Sequence, residues 1–88
     1  MKKIYKYKIE LLDEQEILIP CYHRILCIKL RSGTPYIWVE VDDESPLQKV
    51  KFSLYGTGHS MSQYKTEQYV GTILLDEDKL VYHLYRQL

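Results

Sequence analysis

Apolar residues recur at every second position through most of this chain, and no stretch carries them at the three-and-four spacing of a helix. In Lys49–Tyr55, Val50, Phe52 and Leu54 fall on one side and Lys49, Lys51, Ser53 and Tyr55 on the other. In Tyr36–Val41, Ile37, Val39 and Val41 form an aliphatic face, leaving Tyr36, Trp38 and Glu40 for solvent, a ligand or another subunit. Between Ile4 and Leu11, Tyr5, Tyr7, Ile9 and Leu11 oppose Lys6, Lys8 and Glu10. Alternation of this kind means strands with one face wet. Six to seven such short segments, punctuated by turn residues, predict a single all-β domain over residues 1–88, built as a small antiparallel sandwich or barrel-like fold.

The punctuation is specific. Pro20 closes Glu16–Ile19 and cannot donate to a ladder, so that strand is an edge or ends there. Ser32-Gly33 makes a tight turn between Arg24–Arg31 and the strand opened by Pro35, with Leu26, Ile28 and Leu30 expected in the core. Asp42–Pro46 reads as a solvated acidic loop and Asp76–Asp78 as a turn. Met61–Gln68 shows no period and is expected to be a mobile link. Gly71, inside Tyr69–Leu75, marks a bulge or a close backbone approach. In the last strand, Lys79–Arg86, Leu80, Tyr82 and Leu84 share a face.

A chain of 88 residues buries roughly 60–65% of its unfolded surface, and oligomerisation is a common remedy for so small a core. Twelve Lys and Arg balance 12 Asp and Glu, which argues against gripping a long nucleic acid through bulk charge. Cys21 and Cys27 are too few for a secreted disulfide framework and read as reduced thiols. Neither a secretory leader nor a membrane span is apparent, so a soluble intracellular protein is expected. Nine tyrosines against one Phe and one Trp suit a half-buried sheet and also an interface.

Two of the four glycines fall in Tyr55-Gly56-Thr57-Gly58-His59-Ser60. Glycines at this spacing permit positive φ and can turn several amides toward an anion. Thr57 and Ser60 add hydroxyls, and His59 adds a donor. Lys49, Lys51 or Arg24 can supply charge, and Tyr36 and Trp38 can stack on bases. A phosphorylated small molecule fits this set, against the plainer reading of a glycine turn with a surface histidine.

Other chemistries fit less well. The third glycine of a dinucleotide fingerprint is replaced by Met61, and no Gly-Lys-Ser/Thr is present. Cys21, His23 and Cys27 do not have the spacing of a standard zinc module, and the acidic loop lacks the spacing of a hard-cation site. Ser60 beside His59 lacks a paired acid, so neither catalysis nor a cofactor is expected.

Six motifs run along nearly the whole chain. They are Lys3–Tyr7, the proline and following Ile-Leu-Cys strand, Gly33–Trp38, Gly56–His59, Tyr69–Thr72 and Val81–His83. In these the chain resembles a family of small phage and bacterial β-domain proteins with a Gly-Thr-Gly-His motif. It is similar to anti-CBASS sponges, small β-rich homo-oligomers that sequester cyclic dinucleotides without cleaving them. The resemblance implies immune evasion in the cytoplasm of an infected bacterium, by a dimer or tetramer binding a ligand such as 3′3′-cGAMP between subunits. The residues expected at that site are Gly56, Thr57, Gly58, His59, Ser60, Trp38, Tyr36 and Lys51. The alternatives are a structural or protein-interaction module of a phage and a single-stranded nucleic-acid binder.

Overall fold

A computed structural model describes residues 1–63 and 65–88. Seven strands make up the chain: β1 (Lys2–Lys8), β2 (Glu14–Pro20), β3 (His23–Arg31), β4 (Thr34–Asp42), β5 (Leu47–Gly56), β6 (Glu67–Leu75) and β7 (Leu80–Gln87). They form a three-stranded sheet in the order β1-β4-β3 and a four-stranded sheet in the order β2-β5-β7-β6, with every pairing antiparallel. The sheets stack as a sandwich over one apolar core, and the described residues include no helix long and apolar enough to cross a membrane.

The alternating residues meet in that core. Ile37, Val39 and Val41 from β4 are at most 1% exposed, and Val50, Phe52 and Leu54 from β5 at most 5%. Ile73, Leu84, Ile9, Ile19 and Ile28 complete the cluster. Burying a side chain such as Phe52 contributes about 1.5–3 kcal/mol. The outward residues of β4 and β5 therefore lie on opposite sides of the molecule.

Local chemistry accounts for the connections. Ser32 and Gly33 take φ of 50° and 79°, the left-handed pair of a type I′ hairpin turn. The strand ending at Pro20 is an edge of the larger sheet, where a missing N–H costs no ladder bond. Gly71 marks a bulge as expected, between Tyr69 and Gly71 of β6, and it is a side chain, that of Ile28, rather than a second backbone that packs where a Cβ at Gly71 would stand.

Four expectations are corrected. Of Leu26, Ile28 and Leu30, only Ile28 is buried. A bulge between Ile25 and Cys27 inserts Leu26 as an extra residue, and Leu30 lies beside the hairpin turn at the margin of the core. Leu11 lies beyond the end of β1 and Leu80 at the tip of the β6–β7 hairpin, and both are exposed. The acidic loop is engaged by cations. The Met1 ammonium stands 3.3 Å from Asp42 and 3.0 Å from Asp43, and Lys3 Nζ is 2.7 Å from Asp43. In the expected mobile link, position 64 lies outside the described residues, Glu67 and Gln68 already belong to β6, and Lys65 pairs with Glu14 of β2.

Candidate functional site

The Gly56–Ser60 stretch leaves the end of β5 beside β7, on the side of the larger sheet facing away from the core. Gly56 to His59 is a type II turn: the His59 amide donates to the Gly56 carbonyl at 3.0 Å, and Gly58 takes the φ of 84° that this turn requires at its third position. The Thr57 amide donates to the Val81 carbonyl at 3.1 Å, pinning the turn to β7. Two amides expected to face an anion are thus engaged inside the chain. Among the described residues, no partner reaches the amides of Gly58 and Ser60.

Gly56 has a different role from the one expected. The His59 imidazole folds back onto it, so a Cβ at residue 56 would come within 2.6 Å of His59 Cε1 and 2.7 Å of Nδ1. The missing side chain makes room for the histidine ring rather than for a guest. His59 in turn lines three clefts. One of about 250 Å³ is bounded by Tyr55, Gly56–Gly58, Met61, His83 and Tyr85. One of about 330 Å³ reaches Asp13, Ser53, Ser60 and Lys65, and one of about 170 Å³ reaches Lys79 and Tyr82.

The floor of the first cleft is built by cross-strand register. Tyr55 lies opposite His83, while Tyr85 and His83 lie opposite Tyr69 and Thr72. Tyr85 meets both Tyr55 and Tyr69 edge to face, with ring centroids 5.7 and 5.5 Å apart. The Tyr55 hydroxyl donates to Glu67 Oε1 at 2.6 Å, and burial followed by this carboxylate raises the Tyr55 pKa.

His83 sits in a chain of hydroxyls. Its Nε2 is 2.8 Å from Thr57 Oγ1 and its Nδ1 is 2.9 Å from Thr72 Oγ1, which also contacts the Tyr69 hydroxyl. Thr57 Oγ1 reaches the Val81 carbonyl at 3.4 Å, and a carbonyl can only accept. With a single proton on the ring, one arrangement meets every contact: Tyr69 donates to Thr72, Thr72 to Nδ1, Nε2–H to Thr57, and Thr57 to Val81. Both ring nitrogens are then engaged, which fixes the imidazole as one wall of the cleft.

The remaining expected residues do not join this site within one chain. Trp38 and Tyr36 point outward from β4, on the far side of the core. Lys51 lies opposite Glu16 of β2 and lines a separate depression with Gln48 and Gln87. Cys27 faces outward opposite Trp38, whereas His23 lies opposite the core residue Val41, so the two cannot converge on one metal. Sequence reasoning named Tyr55, Thr72 and His83 within its motifs but gave neither them nor Tyr85 a part in the site. The Val81–His83 motif was the available signal, but its meaning depends on the β5–β7 pairing.

Fold and site define a small β-sandwich with an aromatic, two-histidine cleft beside a glycine turn. The chain belongs to the family described as a domain of unknown function (DUF7352), which it matches over residues 1–88. No curated protein and no solved structure matches it.

Proposed function

We propose that the protein is a non-catalytic, homo-oligomeric binding protein that sequesters a cyclic di- or oligonucleotide such as 3′3′-cGAMP, acting as an immune-evasion sponge in an infected bacterium. The observation that carries this reading is the convergence of three clefts on His59, beside the rings of Tyr55 and Tyr85. Those tyrosines take the base-contacting role expected of Trp38 and Tyr36. The Gly58 and Ser60 amides and the His59 imidazole supply donors for a phosphate. A cleft of about 250 Å³ is smaller than the ~300–1,000 Å³ typical of sites enclosing a whole drug-sized ligand. One chain therefore covers one nucleotide end, and a second copy covers the other. Both nitrogens of His83 are occupied by hydroxyl contacts, which suits holding a ligand rather than activating a nucleophile.

The test is calorimetry of the full chain against a panel of cyclic di- and oligonucleotides, with the ligand recovered after heat denaturation and analysed. The expected result is saturable heat for at least one member, intact ligand on release, and binding lost in His59→Ala while the melt is kept. No heat across the panel removes the proposal, and recovery of cleaved product makes the protein an enzyme.

A further inference from the structure

The chain carries no net charge, but its strand register separates the charges. On β1, Lys2, Lys6 and Lys8 share the outward parity of Trp38 and Tyr36, being paired with Asp42, Trp38 and Tyr36 respectively. On β3, Arg24, Lys29 and Arg31 lie opposite Glu40, Tyr36 and Thr34. These six side chains are half of the chain's 12 Lys and Arg, and all six residues are exposed on one face of a three-stranded sheet.

The carboxylates of this face are already engaged. Glu40 is held by Lys2 at 3.0 Å and Arg24 at 3.4 Å, while Asp42 lies at the sheet's end against the Met1 ammonium. Lys8 reaches Glu10 at 3.5 Å, beyond the strand. Among the described residues, Lys6, Lys29 and Arg31 have no ion-pair partner within salt-bridge distance. Between the two cationic rows runs the central strand with Tyr36 and Trp38, half-buried and edge to face at 6.1 Å. Lys6 lies 4.8 Å over the Tyr36 ring.

We infer that this outer face is a binding surface for single-stranded nucleic acid, distinct from the His59 clefts. Lys6 and Lys8 on β1, and Lys29 and Arg31 on β3, are two residues and about 6.7 Å apart along their strands, with Lys2 and Arg24 further along beyond Ile4 and Cys27, and the two rows flank a pair of rings. An extended strand lies across such a face with its phosphates over the lysine and arginine rows and its bases against Trp38 and Tyr36. Base–aromatic stacking on an open sheet, with a positive border tracking the backbone, is how single strands are held without sequence readout. Paired bases in a duplex do not offer their faces to the rings. Neutral composition does not oppose this binding, because on the strands of this face the six cations meet only Glu40 and Asp42, while Asp13, Glu14 and Glu16 lie around β2 and Asp76–Asp78 at the β6–β7 turn.

Trp38 is the chain's only tryptophan, so its fluorescence reports directly on this face. The full chain is titrated with oligothymidylate and oligouridylate of graded length across a salt series, beside the matching duplex, phosphatidylserine vesicles and polyglutamate. Single strands are expected to quench Trp38 with affinity rising with length. The salt slope should steepen by about 0.7 per phosphate engaged. Lys29→Glu and Lys6→Gln, both at exposed positions, should weaken binding and flatten that slope. Trp38→Ala, followed by anisotropy of a labelled strand, should weaken it roughly 5- to 150-fold. His59→Ala should leave this binding unchanged, so failure here and failure of cyclic-nucleotide binding are read separately. Absence of quenching by any single strand, equal binding of the duplex, or binding of vesicles or polyglutamate in place of oligonucleotide each overturns the inference.

Discussion

Ile28 Cγ2 fills the space that any side chain at Gly71 would need: a Cβ placed there lies 2.5 Å from it. The contact joins β3, an edge of one sheet, to β6, an edge of the other, and Gly71 is presented to it because the bulge after Tyr69 sets it opposite the core residue Leu84. Ile28 is 7% exposed and cannot swing away into solvent. Gly71→Ala should therefore destabilise the fold by about 1–3 kcal/mol, the usual cost of overpacking. In a double-mutant cycle measured by urea unfolding, Ile28→Ala should relieve part of that cost, so the double variant loses less than the sum of the singles. Additive losses, or an unaltered Gly71→Ala, contradict the contact.

Gly56→Ala should behave differently, although the clash is nearly as close. The atoms within 2.6 and 2.7 Å belong to the His59 ring, the end of a side chain on an exposed loop. The ring can move out, so thermal stability should change little while the wall shared by the three clefts is lost. Nuclear magnetic resonance should show His59 shifted, with the β5–β7 ladder intact, and any ligand bound beside His59 should bind more weakly. A large drop in melting temperature would place the ring in the core packing instead.

These two glycines show how far the sequence could be read. Alternation in Tyr36–Val41 and Lys49–Tyr55 is visible because the side-chain period of a strand is two, and both apolar faces fell as expected, whereas Ser53, expected on the wet face, is buried. Bulges are not visible in that way: one extra residue at Leu26 reverses the parity of everything after it without altering composition. The Gly56–His59 motif marked the turn that three clefts surround but not its mechanics, since a turn φ at Gly58 and a ring packed on Gly56 leave the same glycine spacing as an anion nest. Placement of Trp38 across the core from that loop depended on which sheet each strand joins, and a hydrophobic pattern does not record pairing partners. The basic face was hidden for the same reason, because net charge sums over both sides of the sandwich.

Asp76, Glu77 and Asp78 take φ of 51°, 54° and 67°, three consecutive non-glycine residues in the left-handed region. Each such residue is less favourable there by about 1–2 kcal/mol, aspartate less so because its short side chain bonds locally. Glu77 has no such compensation. Glu77→Gly should stabilise the protein by up to about 1 kcal/mol once the greater freedom of glycine in the unfolded chain is subtracted. Denaturant midpoints at constant m-value test this, and a lower midpoint would show that the turn is not strained at that position.

The pH dependence of stability should fall away at both ends for different reasons. Lys2 holds the Glu40 carboxyl below its usual range and Lys3 does the same for Asp43, while for Asp42 the Glu44 amide comes first and the Met1 ammonium second. A carboxyl depressed in the folded state contributes stability above its unfolded value, near ~4, and loses it as pH falls through the lower folded value. At the alkaline end, burial raises Tyr7 and Tyr55, Tyr5 adding to the first and Glu67 to the second. A phenol raised in the folded state contributes stability below its unfolded value, near ~10, and loses it as pH climbs through the higher folded one. Thermal melts across pH should show both declines. Glu40→Gln should reduce the acid slope alone and Tyr55→Phe the alkaline slope alone, and a flat profile in the wild-type chain would contradict the assignments.

The hydroxyl chain through His83 makes a prediction about tautomer. With the Val81 carbonyl as terminal acceptor, the neutral imidazole must carry its proton on Nε2, toward Thr57, and accept at Nδ1 from Thr72. Thr72→Val removes the donor to Nδ1 with almost no change in shape and leaves Nδ1 without its partner. Nitrogen chemical shifts of the His83 ring should report the Nε2–H form in the wild type. In Thr72→Val, Nδ1 should move toward the shift of an unbonded acceptor, and the Tyr69 hydroxyl should lose its hydrogen-bond partner. If Nδ1 carries the proton in the wild type, the order of donors is reversed: Thr57 donates to Nε2, and the tie between Thr57 and Val81 rests on the Thr57 amide alone.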